Sequence, residues 1–280
     1  MTDIIPHDPA SFGAYAPTGQ LASLLALTRR CGATWLGRRQ AYFLRAIAVW
    51  AMRGKPLDVE SLGANMRLYP FNNICEKRIL FTPQYFDESE RVFLKSKLTP
   101  GFVFIDIGAN IGGYSLYMGA NAGPQARILA IEPQPEIFER LVYNIRQNPF
   151  ATIKALNCAV ADKDGEISLF VDSHNQGETS MRMVNSFNAG QVLRVPAVAL
   201  AGLLAHEGIE RVDAIKLDVE GAEDLILEAF VRAAPEKLWP RVILLENSPT
   251  RWTMDLHGLI AGLGYGVALR TRNNIAYERA

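Results

Sequence analysis

The sequence predicts an α/β protein built on a parallel sheet with helices on both faces. Three observations carry this reading. From residue 101 onward, short apolar runs alternate with segments of helical periodicity. A glycine-rich turn, IDIGANIGGYS (105–115), joins one apolar run to a helix start. Acidic residues close several of the runs, at the sheet edge where open α/β sheets bind their ligands.

The elements follow in order. Residues 1–18 mix Pro, Gly and small residues and read as an irregular lead-in. LASLLALTRR and QAYFLRAIAVWAMRG repeat apolar residues at helical spacing (Tyr42, Ala46, Val49; Phe43, Ile47, Trp50), giving two helices that end near Gly32 and Gly54. Residues 65–86 mix extended pieces with Pro70 and Pro83, and Asp87 with Glu90 marks the start of another helix. Strands are then expected at 102–106, 127–132, 152–160, 212–218 and 241–246. GEISLFV and VLRVPAV read as extra strands around a polar loop (173–190), and YGVALRTRNNIAYER as a closing hairpin after a helix near 254–263. The chain divides into an N-terminal helical and irregular extension, 1–83, and a main domain, 84–280.

Composition narrows the function classes. Lys plus Arg balances Asp plus Glu at 29 each, so the overall charge calls for neither nucleic acid nor an anionic membrane, although a local basic patch is compatible with it. Cys31, Cys75 and Cys158 are odd in number and lack metal spacing, which fits buried, reduced thiols and a cytoplasmic location. No secretory leader is legible, and no apolar stretch is long enough to span a bilayer.

The turn discriminates between nucleotides. In a dinucleotide fingerprint the second glycine lets backbone approach a pyrophosphate, but here the frame reads Gly108, Asn110, Gly113. A side chain at the middle position crowds a pyrophosphate and suits a ligand without phosphates. S-adenosylmethionine is one: its amino-acid end needs a tight turn with polar groups, and its sulfonium favours a nearby carboxylate. Asp106, ending its strand, is placed to take the ligand's amino group, and Glu132 stands where an acid accepts from ribose hydroxyls. Asp162 would take the adenine amine, with Ala161 supplying backbone.

FIDIGANIGGYSLY, AIEPQPEIFERLVYNI, AVADKDGEISLFV and IKLDVEGAEDLILEAF followed by ILLENSP resemble the successive motifs of the FkbM family of S-adenosylmethionine-dependent methyltransferases, over roughly residues 84–250. The resemblance implies a class I methyltransferase (Rossmann-like) fold with a seven-stranded sheet whose last strand is antiparallel. It also implies methylation of an oxygen, typically a hydroxyl of a sugar or secondary metabolite. The expected cofactor set is Asp106, Gly108, Asn110, Gly112, Tyr114, Glu132, Ala161, Asp162 and Asp218.

A second constellation bears on the methyl acceptor. Strand alternation puts Lys216, Asp218 and Glu220 on one side if the extended run continues that far, and Glu246 ends the next strand. An alcohol is a weak acid, so a carboxylate within hydrogen-bond reach is suited to take its proton as the new bond forms. Asp218, Glu220 and Glu246 are the candidate bases, with Lys216 orienting or balancing charge. Crowded acids should push at least one pKa upward. The same acids would also suit Mg²⁺, a reading not favoured, while Glu223 and Asp224 suit the positive end of the following helix. His174, in the polar loop, is a further base candidate; His7, His206 and His257 are scattered and make no metal triad.

Two rival functions remain open at this level: an NAD-dependent oxidoreductase, and a non-catalytic module that binds a partner through residues 19–54. The expected partner is a small-molecule or glycan acceptor rather than a nucleic acid. The extension is suited either to cover the cleft or to form a homodimer contact.

Overall fold

The computed structural model describes residues 10–172, 175–180 and 189–279. Helices α1 (Gly19–Arg30) and α2 (Trp35–Ala51) end close to the expected glycines, and the Thr34 side chain caps α2 by accepting from the Gly37 amide at 3.1 Å. An antiparallel hairpin, β1 (Leu57–Ser61) and β2 (Ala64–Leu68), follows and was not expected. Its turn residues Leu62 and Gly63 both have positive φ, at 56° and 83°, as a two-residue hairpin turn of the mirror-image type requires.

Helix α3 (Ile74–Phe81) is capped by Asn73, and α4 (Glu88–Ser96) starts where Asp87 and Glu90 mark it. The capping box itself does not form. Asp87 sits at φ 41° and sends its carboxylate to Arg78 (2.7 Å) and the Tyr114 hydroxyl (3.2 Å). Glu90 accepts from Thr271 Oγ1 (2.6 Å) and Asn274 Nδ2 (2.9 Å), so tertiary partners outcompete the local cap.

The main alternation comprises β3 (Val103–Ile107), α5 (Gly113–Asn121), β4 (Arg127–Ile131), α6 (Pro135–Arg146) and β5 (Ile153–Leu156). A second group consists of β6 (Ala159–Ala161), β7 (Gly165–Asp172), β8 (Asn175–Ser180) and β9 (Ala189–Ala199). Then come α7 (Leu200–His206), β10 (Ala214–Leu217), α8 (Glu223–Ala233), β11 (Val242–Glu246), α9 (Leu256–Gly262), β12 (Tyr265–Arg270) and β13 (Asn274–Arg279). The seven-stranded sheet has the order β12-β13-β11-β10-β3-β4-β5, with the last strand, β13, antiparallel to both its neighbours. This is the class I methyltransferase arrangement.

Two expectations are corrected here. The run 152–160 is not one strand: it leaves the main sheet after Leu156, and Asn157 anchors the exit by donating to the Glu132 carbonyl at 2.9 Å. Residues 159–161 then join a separate four-stranded sheet, β6-β9-β7-β8. Part of the stretch expected as a polar loop, 175–180, is strand β8; His174 lies outside the described residues.

Alternating side chains of the main strands feed two cores. Phe104, Ile128, Leu244 and Ala276 face α5, α6 and the N-terminal elements, whereas Ile105, Leu129, Ile215 and Ile243 face α7, α8 and α9. The first core continues without a break into Leu25, Ala48, Leu57, Met66 and Leu80, so the extension packs directly on the sheet.

Candidate active site

The carboxyl edge of β3 and β10 opens into a cavity of ≈ 200 Å³. Its wall includes Asp106, Gly108, Asn110, Tyr114, Glu132, Lys216, Asp218 and Glu220, bringing together most of the residues expected from sequence. Gly108, at φ +77°, is required by a close approach: a Cβ there would lie 2.0 Å from the Asp218 carbonyl oxygen. Asn110, also at positive φ (50°), accepts from Asn73 Nδ2 and the Ile111 amide at 2.9 Å each.

Asp106 is buried. Its Oδ2 accepts from Ser115 Oγ at 2.6 Å, while Oδ1 is buried with no hydrogen-bond donor on it. An orphaned carboxylate oxygen in a cavity wall fits a ligand that brings a donor, such as an ammonium group. Burial raises the Asp106 pKa, and the facing Lys216 opposes that rise. Glu132 takes the Asn110 amide on one oxygen and the Gln134 amide on the other, both at 2.9 Å, yet burial still pushes it up to about 7.

Lys216 is itself buried, which pulls its pKa down, but Asp218 and Asp106 outweigh this and raise it. Its ammonium lies 2.8 Å from Asp218 Oδ2 and 4.9 Å from the centre of the Tyr114 ring. The alternation that places Lys216 and Asp218 together stops there: β10 ends at Leu217, and Glu220, at φ 56°, turns to pair with Arg251. Glu246 lies near the same guanidinium (3.9 Å), and its pKa is raised by burial and then by Asp218. The upward shift comes first from burial, with the neighbouring acid second.

Other expected residues stand apart from the cavity. Gly112 packs where a Cβ would meet Leu141 and Leu116, so it serves the core. Ala161, in β6, and the exposed Asp162 are displaced by the sheet switch, and Cys158, Ala159 and Val160 supply that wall instead. Glu246 stands behind Asp218 and Glu220 rather than in the described wall. Glu223 and Asp224 are structural. Glu223 accepts from the Val219 amide (3.1 Å) and Trp252 Nε1 (2.9 Å), and Asp224 accepts from the Thr253 amide (2.6 Å) and hydroxyl (2.7 Å).

Sequence reasoning missed a whole wall. Asn73, Cys75, Arg78, Phe86 and Asp87 line the cavity from a segment that reads as irregular. Cys75, in that wall, and Cys158, beside Ala159 and Val160, are free thiols and only partly buried, rather than core residues. The available signal was Asn73 with Glu76, a helix cap beside two prolines.

A seven-stranded sheet of this order, with an acidic cleft at the carboxyl edge of β3 and β10, defines a class I methyltransferase. Residues 106–265 match the methyltransferase FkbM domain, and the chain belongs to that family. It is 30% identical over 194 residues to methyltransferase sdnD of Sordaria araneosa, covering 58% of this chain and 73% of that protein. It is 26% identical over 210 residues to the 31-O-demethyl-FK506 methyltransferase FkbM of Streptomyces tacrolimicus, covering 65% and 76%. The crystal structure of methyltransferase FkbM from Methylobacillus flagellatus aligns over 85% of this chain and 60% of that one, with TM-score 0.44 and 15% identity. Family membership sets the hydride-transfer reading aside.

Proposed function

We propose that this chain is an S-adenosylmethionine-dependent O-methyltransferase acting on a hydroxyl of a sugar or secondary metabolite. The observation that carries the cofactor is the buried, donor-less Oδ1 of Asp106 in the cavity wall, with the Glu132 carboxylate just past the end of the neighbouring strand. S-adenosylmethionine, when bound, supplies an electrophilic methyl on a good leaving group. Asp106 accepts from its amino group, Glu132 from its ribose, and the Gly108–Asn110 turn leaves room for both.

Asp218 is the favoured base. Lys216 donates to its Oδ2 at 2.8 Å, leaving Oδ1 for an acceptor hydroxyl. The hydroxyl proton passes to that oxygen as the carbon–oxygen bond forms. Glu220 is committed to Arg251, and Glu246 lies behind both. Oxygen as the acceptor atom is supported by the name of the Streptomyces relative, a 31-O-demethyl-FK506 methyltransferase. The N-terminal wall, Asn73 to Asp87, covers the cleft and shapes the acceptor pocket.

A Mg²⁺ reading has one favouring observation: Asp218, Glu220 and Glu246 each offer an oxygen within 4.8 Å of the others. Arg251 already balances two of these acids, so a cation would have to displace a guanidinium. The deciding experiment is incubation of the purified protein with labelled S-adenosylmethionine and hydroxylated acceptors, with and without a chelator. Label transferred to carbon or nitrogen only, or transfer that collapses with the chelator, would replace this proposal.

A further inference from the structure

Helix α2 is packed inside out. It turns the fully buried Ala41 and Ala48 inward and its largest side chains outward: Trp35 (67% exposed), Leu36 (70%), Phe43 (67%), Ile47 (39%) and Trp50 (81%). At 100° per residue these five fall within a sector of about 120°, a stripe broken only by Arg39, whose guanidinium stacks on the Trp35 ring at 4.9 Å. A stripe of this kind on a water-soluble surface marks something that covers it.

The charge around the stripe says what. Between Asp8 and Asp58 the chain has no acidic residue but seven Lys and Arg. Arg29 is spent inward on the carbonyls of Leu80 (3.0 Å) and Glu60 (2.9 Å). Arg30, Arg39, Arg53 and Lys55 are exposed, and Arg38 and Arg45 lie along the helix flank, stacked on Tyr85 and Tyr42 at 4.7 and 4.6 Å. We propose that α2 seats on an anionic lipid surface, with Trp35, Phe43 and Trp50 in the headgroup boundary and the flanking cations on lipid phosphates. A second copy of the chain fits less well, because a two-fold contact through α2 sets arginines against arginines and neither α1 nor α2 carries an acid to pair them. Among the described residues no helix is long and apolar enough to cross a membrane, which leaves α2 lying on the surface.

The site of attachment matters for the cleft. The α1–α2 turn is tied to the cavity wall: Tyr85 Oη donates to the Cys31 (2.8 Å) and Gly32 (2.6 Å) carbonyls, and Gln84 Nε2 to Thr28 O (2.9 Å). Phe86 and Asp87, next in sequence, line the cavity. Seating α2 therefore holds the cavity rim beside the lipid. The inference does not depend on the proposed reaction, since its readout is binding.

The test is flotation of the full chain with phosphatidylcholine vesicles, alone or containing phosphatidylglycerol. The expected result is flotation with the anionic vesicles, weakened by salt, with a blue shift of tryptophan emission. F43E/W50E should abolish it with an unchanged circular dichroism spectrum and melting temperature, and R30Q and R39Q should each weaken it about five-fold. No flotation of the wild type with anionic vesicles at low salt would overturn the proposal. So would sedimentation showing a dimer that F43E/W50E dissociates, since the stripe would then belong to a second copy.

Discussion

Asp106 and Lys216 stand directly opposite one another on the adjacent parallel strands β3 and β10, both buried. The cation keeps the acid from being abandoned in the protein interior, while one of the acid's oxygens remains without a donor. The pair leaves one carboxylate oxygen in the cavity wall for a ligand that brings a donor.

Replacing Asp106 by Ala should therefore weaken S-adenosylmethionine binding by roughly ten-fold or more, as expected for losing a charged hydrogen bond of about 1.5–3 kcal/mol. The melting temperature should hardly fall, because a buried, poorly satisfied carboxylate is removed while Asp218 still pairs Lys216. Calorimetric titration reads the first and a thermal melt the second; unchanged affinity would remove Asp106 from the cofactor site.

Glu132 makes cofactor affinity pH-dependent. Its pKa is pushed up to about 7, and the ionised form is the one that accepts from a ribose. Affinity should be highest above that value and decline as the carboxylate protonates. Between about pH 8 and about pH 6 the loss should be near ten-fold. A flat profile over that range, measured by titration at several pH values, would contradict the assignment.

The three cleft acids should separate kinetically. Asp218→Asn should lower kcat by about 10² to 10⁴ with little change in cofactor affinity, in the range of a lost general base. Glu220→Gln should be milder and act through Arg251, and Glu246→Gln should act mainly through the charge of its neighbours. Equal losses in all three, restored by added Mg²⁺, would point to a metal site.

Away from the cleft, Arg67 and Asp58 form a fully buried, two-pronged ion pair at 2.7 and 3.0 Å. Asp58 also accepts from the Gly13 (2.8 Å) and Tyr15 (3.0 Å) amides, pinning the lead-in to the hairpin. Asp58→Ala should destabilise the protein by about 3–5 kcal/mol, since it leaves a buried guanidinium without its carboxylate. A denaturant midpoint that stays put would show that the region relaxes to admit water.

What was legible in the sequence follows from how local the signal is. The β3 turn, Asp106 and Glu132 are set by a strand, a glycine turn and a strand end, all readable within a few residues. The β1–β2 hairpin was hidden because Asp58 and Arg67 occupy buried positions and break the apolar alternation. The roles of Asp87 and Glu90 were misread because their partners, Arg78, Tyr114, Thr271 and Asn274, come from elsewhere in the chain. Asp162 lies beyond the sheet switch at Asn157, which no local pattern announces, and outside the described cavity wall. The basic surface around α2 is not legible in the overall charge, because a balance of 29 against 29 averages away an acid-free stretch.

The contact between Gly108 and the Asp218 carbonyl restricts how this enzyme can diversify. There is no room for even a methyl group between the glycine turn and the segment carrying Asp218. A lineage adopting a new acceptor cannot drift there without opening the sheet. The freedom to change lies instead in Asn73, Cys75, Arg78 and Phe86, whose side chains line the same cavity from outside the sheet. New substrates are to be sought by randomising that wall while leaving the glycine turn untouched.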